Sequence, residues 1–160
     1  QFLSREFESA SRHAWPLSIA FADLDGFKRI NDTYGHQAGD RILQGAARIL
    51  RGNSRESDVV VRYGGEEFLL VLPATDSDTV RAICERIVMA FQHTRHDIGG
   101  SSIGVTVSIG HATHSAEHRF ESADAFLQAA DQALYAAKLQ GRNRAVSHEL
   151  NPRNPTVQFL

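Results

Sequence analysis

The sequence predicts a single α+β domain, in which helices pack against a sheet of short strands. Apolar runs rich in β-branched residues occur at Leu17–Leu24, within 59–72 and at Val105–Ile109, and their lengths are typical of strands. The longer segments between them repeat apolar residues at the spacing of one helix face. The chain has 160 residues, of which 42% are hydrophobic, so it can bury one core.

The chain opens with a helical pattern over Phe2–Arg12. No capping residue precedes it, and the pattern is already under way at Gln1. We therefore expect the sequence to be a piece of a longer protein, with one domain over 1–148 that is truncated at its N-terminus. The tail from Glu149 holds two prolines, and we expect it to be poorly ordered.

The strand at Leu17–Leu24 is followed by several polar residues. Asp25-Gly26 predicts a turn and the next residues a short polar helix that ends at Tyr34. We predict a loop over Gly35–Asp40 and then a one-sided helix over Gly39–Arg51, which would place Asp40 in its first turn.

In the second half of the chain, the runs Val59–Val61 and Phe68–Leu72 flank a glycine pair and predict a hairpin. Capping and turn residues indicate where the remaining helices and strands begin and end. We predict a helix capped by Thr75-Asp76 with Arg86 on its outer face, a turn at 99–102, a strand at Val105–Ile109, a helix from Ser122 to about Gln140 that Gly141 stops, and an edge strand at Arg144–Ser147.

Charge and composition exclude several classes of function. A net charge of −2 and a pI near 6.5 argue against a general nucleic-acid surface. The single cysteine, Cys84, excludes an internal disulfide and a cysteine-based zinc cluster. No apolar run approaches the ~20 residues that span a bilayer. We expect this piece to be cytoplasmic without membrane contact, which leaves open whether the full-length protein is tethered to a membrane.

Two acidic clusters lie at the ends of predicted strands. Asp23-Leu24-Asp25 ends one apolar run, and Glu66-Glu67 precedes another. Clusters at neighbouring strand ends can converge on one Mg²⁺ ion. Gly64 and Gly65 permit positive φ and a close approach of the backbone to a ligand. Two adjacent glutamates can also be a solvated turn.

Four separated motifs resemble those of the GGDEF domains, whose active members are diguanylate cyclases. The first is the run from Asp23 to Asp32 with Gly35-His36 and Gly39-Asp40, and the second is Gly64-Gly65-Glu66-Glu67-Phe68, the GGEEF variant of the signature. The others are Val107-Ser108-Ile109-Gly110 and the segment from Ala130 to Asn143. The resemblance implies a mainly antiparallel sheet of about five strands flanked by helices, similar to nucleotidyl cyclases and polymerase palms.

The resemblance implies that two GTP molecules are joined into cyclic di-GMP, with release of two pyrophosphates, at an antiparallel dimer of two chains. Asp23, the Leu24 carbonyl, Glu66 and Glu67 would hold a cation, and oxygen ligands suit Mg²⁺ or Mn²⁺. Glu66 and Glu67 are the catalytic candidates. Glu66 is the preferred proton acceptor, although the sequence does not separate that role from metal binding.

The same resemblance implies a GTP site. Asp40 and Asn31 carry the groups that recognise guanine, and either could instead be a local cap. His36 would line the guanine or ribose. The remaining substrate contacts implied are those of Phe27, Lys28, Gly64, Gly65, Lys138 and Arg142, the last two one turn apart near the end of the final helix.

A regulatory motif precedes the signature loop. Arg55-Glu56-Ser57-Asp58 has the RxxD form, which in the family binds cyclic di-GMP as an inhibitor, and Arg86 is a further candidate for that site. Arginine can bind phosphate or a guanine edge with two hydrogen bonds. An exposed helical arginine is the alternative for Arg86.

Two features of the family are missing. A motif similar to DxLTGLxNR normally comes before the first helix, and an upstream sensor or regulatory domain normally brings two chains together. Since one domain holds one GTP, we expect a homodimer to be needed for catalysis. The alternatives are a catalytically silent module that is a receptor for cyclic di-GMP or GTP, and a nucleotidyl cyclase acting on ATP, which Asp40 and Asn31 disfavour.

Overall fold

A five-stranded sheet with helices on both faces forms the centre of the fold. The computed structural model describes residues 1–148. In chain order its elements are α1 (Phe2–His13), β1 (Leu17–Leu24), α2 (Phe27–Tyr34), α3 (His36–Gly52), β2 (Val59–Arg62), β3 (Glu67–Pro73), α4 (Ser77–His93), β4 (Arg95–Asp97), β5 (Ser102–Gly104), β6 (Val107–His114), α5 (Ala123–Leu139) and β7 (Arg144–Ser147).

The strand order in this sheet is β2-β3-β1-β6-β7. Every neighbouring pair is antiparallel except β6 and β7, which run parallel. This confirms the predicted α+β fold with a mainly antiparallel sheet of five strands, and it confirms β7 as an edge strand.

The central strand β1 is buried along its whole length because both of its faces are covered. Ala20, Ala22 and Leu24 face a core formed with α3 and α4. Leu17, Ile19 and Phe21 face a second core formed with α1 and α5. The end of β1 is therefore held from both sides, which fixes the position of the acidic residues at that end.

Two predicted helix caps are present. The Asp76 carboxylate accepts from the Thr79 N–H at 2.8 Å at the start of α4, and the Ser122 hydroxyl accepts from the Ala125 N–H at 3.1 Å at the start of α5. Such side chains replace the hydrogen-bond partners that the first turn of a helix lacks.

The predicted loop at 35–40 is wrong. Gly35 has a φ of +89° and separates α2 from α3, so α3 begins at His36 and Asp40 is its fifth residue. Gly39 is buried inside the helix, where a Cβ would collide with the Asn31 side chain. This glycine serves the close packing of α2 on α3 and does not indicate a loop.

The segment after α4 also differs from the prediction. The turn at 99–102 is confirmed, with Gly99 and Gly100 at φ values of +96° and +105°. It joins β4 and β5, a second sheet of two strands that the polar sequence did not reveal. Strand β6 begins at Val107 and extends to His114. The tail from Glu149 lies outside the described residues, and within those described no helix is long and apolar enough to cross a membrane.

His111 makes the stability of the fold depend on pH. It lies on β6 at 2% exposure, and its Nδ1 has no hydrogen-bond partner within residues 1–148. Burial, with the nearby charge of Arg81, lowers the pKa of His111 to about 4. Because the unfolded state then binds more protons between pH 4 and 6.5, we expect the free energy of unfolding to fall by about 3 kcal/mol as pH drops through that range.

Urea denaturation at several pH values, compared between the natural chain and His111→Leu, measures this contribution. The variant has no imidazole to titrate, and other histidines contribute equally to both proteins. An identical pH dependence in the two proteins would contradict the assignment.

Candidate active site

Strand pairing places the two acidic clusters side by side. In the register of β1 and β3, Asp23 lies opposite Glu67. The Leu24 N–H donates to the Glu66 carbonyl at 3.2 Å, which extends the pairing past the end of β3. The end of β1 and the loop before β3 therefore form one edge of the sheet that carries Asp23, Glu66 and Glu67.

Asp23 is almost fully buried and has a cationic partner. It is 5% exposed, and the Lys138 ammonium donates to its Oδ2 at 2.6 Å from the last turn of α5. A buried carboxylate needs such a partner, because desolvation strongly disfavours an isolated charge. This ion pair brings the C-terminal end of α5 to the acidic edge.

The Glu66 carboxyl lies close enough to Asp23 for the two to interact directly. Burial raises the pKa of Glu66, and the negative charge of Asp23 raises it further, while Lys138 lowers it. Two carboxylates that repel each other at one edge are a favourable place for a divalent cation, which relieves the repulsion.

The carboxylates at this edge match the number that Mg²⁺ commonly binds. Among residues 1–148, no three histidine, cysteine, aspartate or glutamate side chains are grouped so as to hold a metal ion alone. Glu67 thus does not complete a cluster of three carboxylates with Asp23 and Glu66. Mg²⁺ is commonly bound by one or two carboxylates, with water and substrate phosphates as its remaining ligands, and the Asp23–Glu66 pair matches that pattern.

Asp25 belongs to the same acidic cluster as Asp23 but has a separate role. Its carboxylate accepts from the Thr106 hydroxyl at 2.8 Å, the Ser108 hydroxyl at 2.7 Å and the Asn143 N–H at 3.0 Å. Asp25 therefore holds the start of β6 and the segment after α5 against the end of β1. Its three partners are distant in sequence, so no local pattern distinguishes it from Asp23.

The signature loop is closed by its own backbone and by Arg62. The N–H groups of Tyr63 and Gly64 donate to the Glu67 carbonyl at 2.8 and 3.2 Å. The Arg62 guanidinium donates to the carbonyls of Gly64 and Gly65, the shortest bond being 2.8 Å. Sequence reasoning missed this role of Arg62, although the residue stands directly before the motif.

Neither Gly64 nor Gly65 has a positive φ. The loop therefore does not use the positive φ that glycine was expected to permit. A Cβ at Gly65 would meet no atom within 4 Å, whereas one at Gly64 would lie 3.2 Å from Glu67 Oε2. Gly65 leaves open space beside the acidic edge, and Gly64 makes room for the Glu67 side chain.

The packing of α2 on α3 brings Asn31 against Gly39, the residue before Asp40. The Asn31 side chain lies against Gly39, and its buried Oδ1 has no hydrogen-bond partner among residues 1–148. The neighbouring Asp40 is exposed. An unpartnered amide oxygen and an exposed carboxylate are suited to a polar ligand that has several hydrogen-bonding groups.

A groove of about 370 Å³ runs from Asp40 between α3 and the β2–β3 hairpin, with Leu43, Arg62 and Phe68 among its lining residues. His36, the first residue of α3, is exposed. The groove thus leads from Asp40 to the base of the signature loop.

Basic and N–H groups lie at the start of α2 and the end of α5. Gly26 precedes α2 with a φ of +68°, Phe27 is buried, and Lys28 is exposed. The first N–H groups of a helix have no partner inside it and can bind phosphate. Arg142 follows the end of α5 at Leu139, consistent with the predicted helix end near Gln140. It has a φ of +63°, and its N–H donates to the Ala137 carbonyl at 3.0 Å.

The RxxD residues bind each other. The Asp58 side chain is fully buried and accepts from the Arg55 N–H at 2.7 Å and from its guanidinium at 3.2 Å. The Arg55 guanidinium also donates to the Pro73 carbonyl at 3.0 Å. Arg86 on α4 donates to the side chain and carbonyl of Asn53 at 2.9 and 3.1 Å, which places it beside the segment that leads to Arg55.

Comparisons with known proteins identify the family and the fold. The family model described as "Diguanylate cyclase, GGDEF domain" matches residues 1–144. Diguanylate cyclase A of Treponema denticola is 42% identical over 135 residues, which are 84% of this chain and 36% of that protein. This chain spans only about a third of the length of the curated relatives that it matches.

Two solved structures share the fold. The GGDEF domain of TpbB from Pseudomonas aeruginosa is 38% identical with a TM-score of 0.87, over 94% of this chain and 87% of that one. The GGDEF domain of DgcB from Caulobacter crescentus, solved in complex with c-di-GMP, is 31% identical with a TM-score of 0.85, over 92% of this chain and 86% of that one. The chain belongs to the GGDEF domain family.

Proposed function

We propose that residues 1–148 form the catalytic domain of a diguanylate cyclase, which condenses two GTP molecules into cyclic di-GMP and two pyrophosphates. The observation that carries the proposal is the interacting carboxylate pair of Asp23 and Glu66, next to Lys138 and the start of α2. Relatives named as diguanylate cyclases support it. Formation of cyclic di-GMP from GTP is the test.

Asp23, Glu66 and the Leu24 carbonyl would hold Mg²⁺ or Mn²⁺, with Glu67 beside them. The chemistry that such a cation would supply there is charge neutralisation at the attacked phosphate and a lower pKa of the attacking hydroxyl. Glu66 is our candidate for the proton acceptor, since burial raises its pKa and a base works best when its pKa approaches the working pH.

The phosphates of GTP would lie against the backbone N–H groups at the start of α2 and beside Gly64 and Gly65. Lys28, exposed on α2, would add positive charge there. Lys138 already lies at Asp23, so it can contact a phosphate held at the same edge, and Arg142 would bind from the turn after α5. These groups fix the α-phosphate for in-line attack, which is the main contribution in phosphoryl transfer.

The guanine base of GTP would lie at Asn31 and Asp40. His36 would line either the guanine or the ribose. The Asp40 carboxylate can accept from the guanine N1–H and N2–H groups. Adenine has an acceptor at N1, so it would leave that carboxylate unpartnered. A site that discriminates by such pairing rejects the wrong base strongly.

We expect Asp40→Asn to lower kcat/KM for GTP by about 10²-fold, since an amide donor would face the guanine N–H groups. Asp40 is exposed, so its midpoint of thermal unfolding should not change. Asp78→Asn makes the same change at an exposed aspartate in the first turn of α4 and is the matched control. Unchanged GTP kinetics in Asp40→Asn would refute the guanine assignment.

Two chains would meet in antiparallel orientation, because each holds one GTP and each bond joins the ribose of one nucleotide to the phosphorus of the other. A homodimer is thus part of the mechanism. An upstream sensor or regulatory domain of the full-length protein would raise the local concentration of the pair, since a short flexible tether gives an effective concentration of roughly millimolar. Because GTP is the substrate, we place the domain in the cytoplasm.

Cyclic di-GMP would inhibit the enzyme at Arg55, Asp58 and Arg86. The exposed Arg55 guanidinium can bind product phosphate, while Asp58 accepts from a guanine edge once its bond to Arg55 is exchanged. Arg86 lies beside this segment. A silent receptor would need only these residues, whereas the paired acids at the strand ends favour the enzyme.

We expect Arg55→Ala to weaken product inhibition at least about tenfold, because a charged phosphate contact is lost. The initial rate, measured before product accumulates, should stay within a factor of two or so, since Arg55 lies outside the proposed active site. Progress curves with added cyclic di-GMP provide the measurement. Equal inhibition of the variant and the natural chain would exclude the RxxD site.

A further inference from the structure

A basic groove of about 620 Å³ opens between α3 and β4. Arg41 and Arg48 of α3 line one wall, and Arg95, His96 and Asp97 of β4 line the other. None of these residues belongs to the proposed GTP or inhibitor sites. The volume lies within the range of about 300–1,000 Å³ that is usual for small-molecule sites.

Positive charge dominates the groove although the chain is acidic overall. Three guanidinium groups face one carboxylate, that of Asp97, whose side chain is 81% exposed and lies 4.0 Å from Arg41. An exposed pair at that distance neutralises little charge. Arg48 has no ion-pair or hydrogen-bond partner in the described part of the chain. The net charge of −2 makes this concentration of arginine a local feature.

One buried residue that lines the groove is a histidine, and one of its ring nitrogens has no partner. His96 is only 5% exposed, and its Nε2 lacks a hydrogen-bond partner within residues 1–148. Such a buried polar atom normally has one. The imidazole fits against α3 only because residue 45 is glycine, since a Cβ there would collide with the ring.

The surroundings of His96 favour its neutral form. Burial lowers its pKa, and the charge of Arg48 lowers it further. A neutral imidazole can offer one N–H to an anion. The positive charge that binds the anion would then come from the arginines. The histidine would contribute a buried N–H donor. The ligand would accept its hydrogen bond directly or through one water.

We propose that this groove binds a phosphate-bearing small molecule, with Arg48 and Arg41 contacting the phosphate oxygens and His96 at the floor. The planar guanidinium group matches two phosphate oxygens at once and is the common residue for phosphate recognition. Free pyrophosphate and the phosphate chain of a nucleotide share this chemistry. The site is separate from the acidic edge and requires no metal ion.

Titration with sodium pyrophosphate, followed by amide chemical shifts, tests the proposal. EDTA removes divalent cations, and sodium chloride keeps ionic strength constant. Gly45, Gly99 and Gly104 report on the groove, because they lie against His96, Arg41 and Arg95, whereas Gly64 and Gly65 report on the proposed GTP site. We expect saturable shifts at the three groove glycines with a Kd of about 1 mM or below.

Arg48→Gln should weaken this binding at least about fivefold, because it removes a guanidinium whose charge acts on His96. Arg48 is exposed, so the variant should fold, and circular dichroism confirms that. Arg5→Gln, an exposed arginine on α1 outside the groove, removes the same charge and should not change the Kd.

The same titration with GTP in EDTA distinguishes the two sources of phosphate. Equal affinities for GTP and pyrophosphate indicate a site for the phosphates alone. Tighter binding of GTP, reported by the groove glycines, indicates that the nucleoside also contacts the groove. Shifts that never saturate, shifts confined to Gly64 and Gly65, or equal weakening by Arg48→Gln and Arg5→Gln would each overturn the proposal.

Discussion

Glu66→Gln should lower the rate of cyclic di-GMP formation by about 10³-fold or more while the protein stays folded. The amide has the shape of the carboxylate but carries no charge and accepts no proton. It would leave Asp23 as the single carboxylate at the cation position. Because Glu66 and Asp23 repel each other and the pKa of Glu66 is raised, the variant should be as stable as the natural chain or more so.

Initial rates at saturating GTP and Mg²⁺, together with thermal unfolding, measure both effects. Glu85→Gln, an exposed glutamate on α4, is the matched control and should keep full activity. A Glu66→Gln enzyme that retains more than a tenth or so of the natural rate would remove Glu66 from the catalytic centre, because general base catalysis alone contributes about 10²–10⁴-fold.

Gly110→Ala should destabilise the fold by more than about 3 kcal/mol. Gly110 lies on β6 where α5 crosses it, and an added Cβ would collide with the Leu134 nitrogen and the Ala130 carbonyl and lie 2.6 Å from the Ala133 carbonyl carbon. These are backbone atoms of a helix, so no rotamer change can relieve the contact. The whole of α5 would have to move away from the sheet, and Lys138 with it.

Urea denaturation followed by circular dichroism measures the loss. Gly52→Ala, at the end of α3, is the control, because a Cβ there meets no atom within 4 Å and alanine favours a helix. A loss below 1 kcal/mol or so at Gly110, similar to that of the control, would contradict the close approach of α5 and β6.

The long apolar strand β1 and two helix caps were predictable because each depends on local chemistry. The apolar run at Leu17–Leu24 has the bounds of β1, and Asp76 and Ser122 cap the helices α4 and α5. The start of α3 was not predictable from the sequence. Gly39 resembles a loop residue unless the packing of Asn31 against it is known. The short β4–β5 sheet has too few apolar residues for a pattern.

In the candidate site too, some features could be predicted from the sequence and others could not. Motifs identify Asp23 and Glu66, and the structure brings their carboxyls together. The separate role of Asp25 depends on donors more than eighty residues away, and the internal bond between Arg55 and Asp58 depends on a turn. Tertiary partners of this kind leave no signal in a single sequence.

Conversion of GTP to cyclic di-GMP, followed by chromatography with mass detection, tests the account most directly. Mg²⁺ is present, the protein concentration is varied widely, and denatured protein is checked for bound product. Because the proposed mechanism needs two chains, we predict that the rate rises more steeply than the protein concentration. GTP that binds without yielding product at any concentration, in protein free of bound cyclic di-GMP, would contradict the assignment as a cyclase.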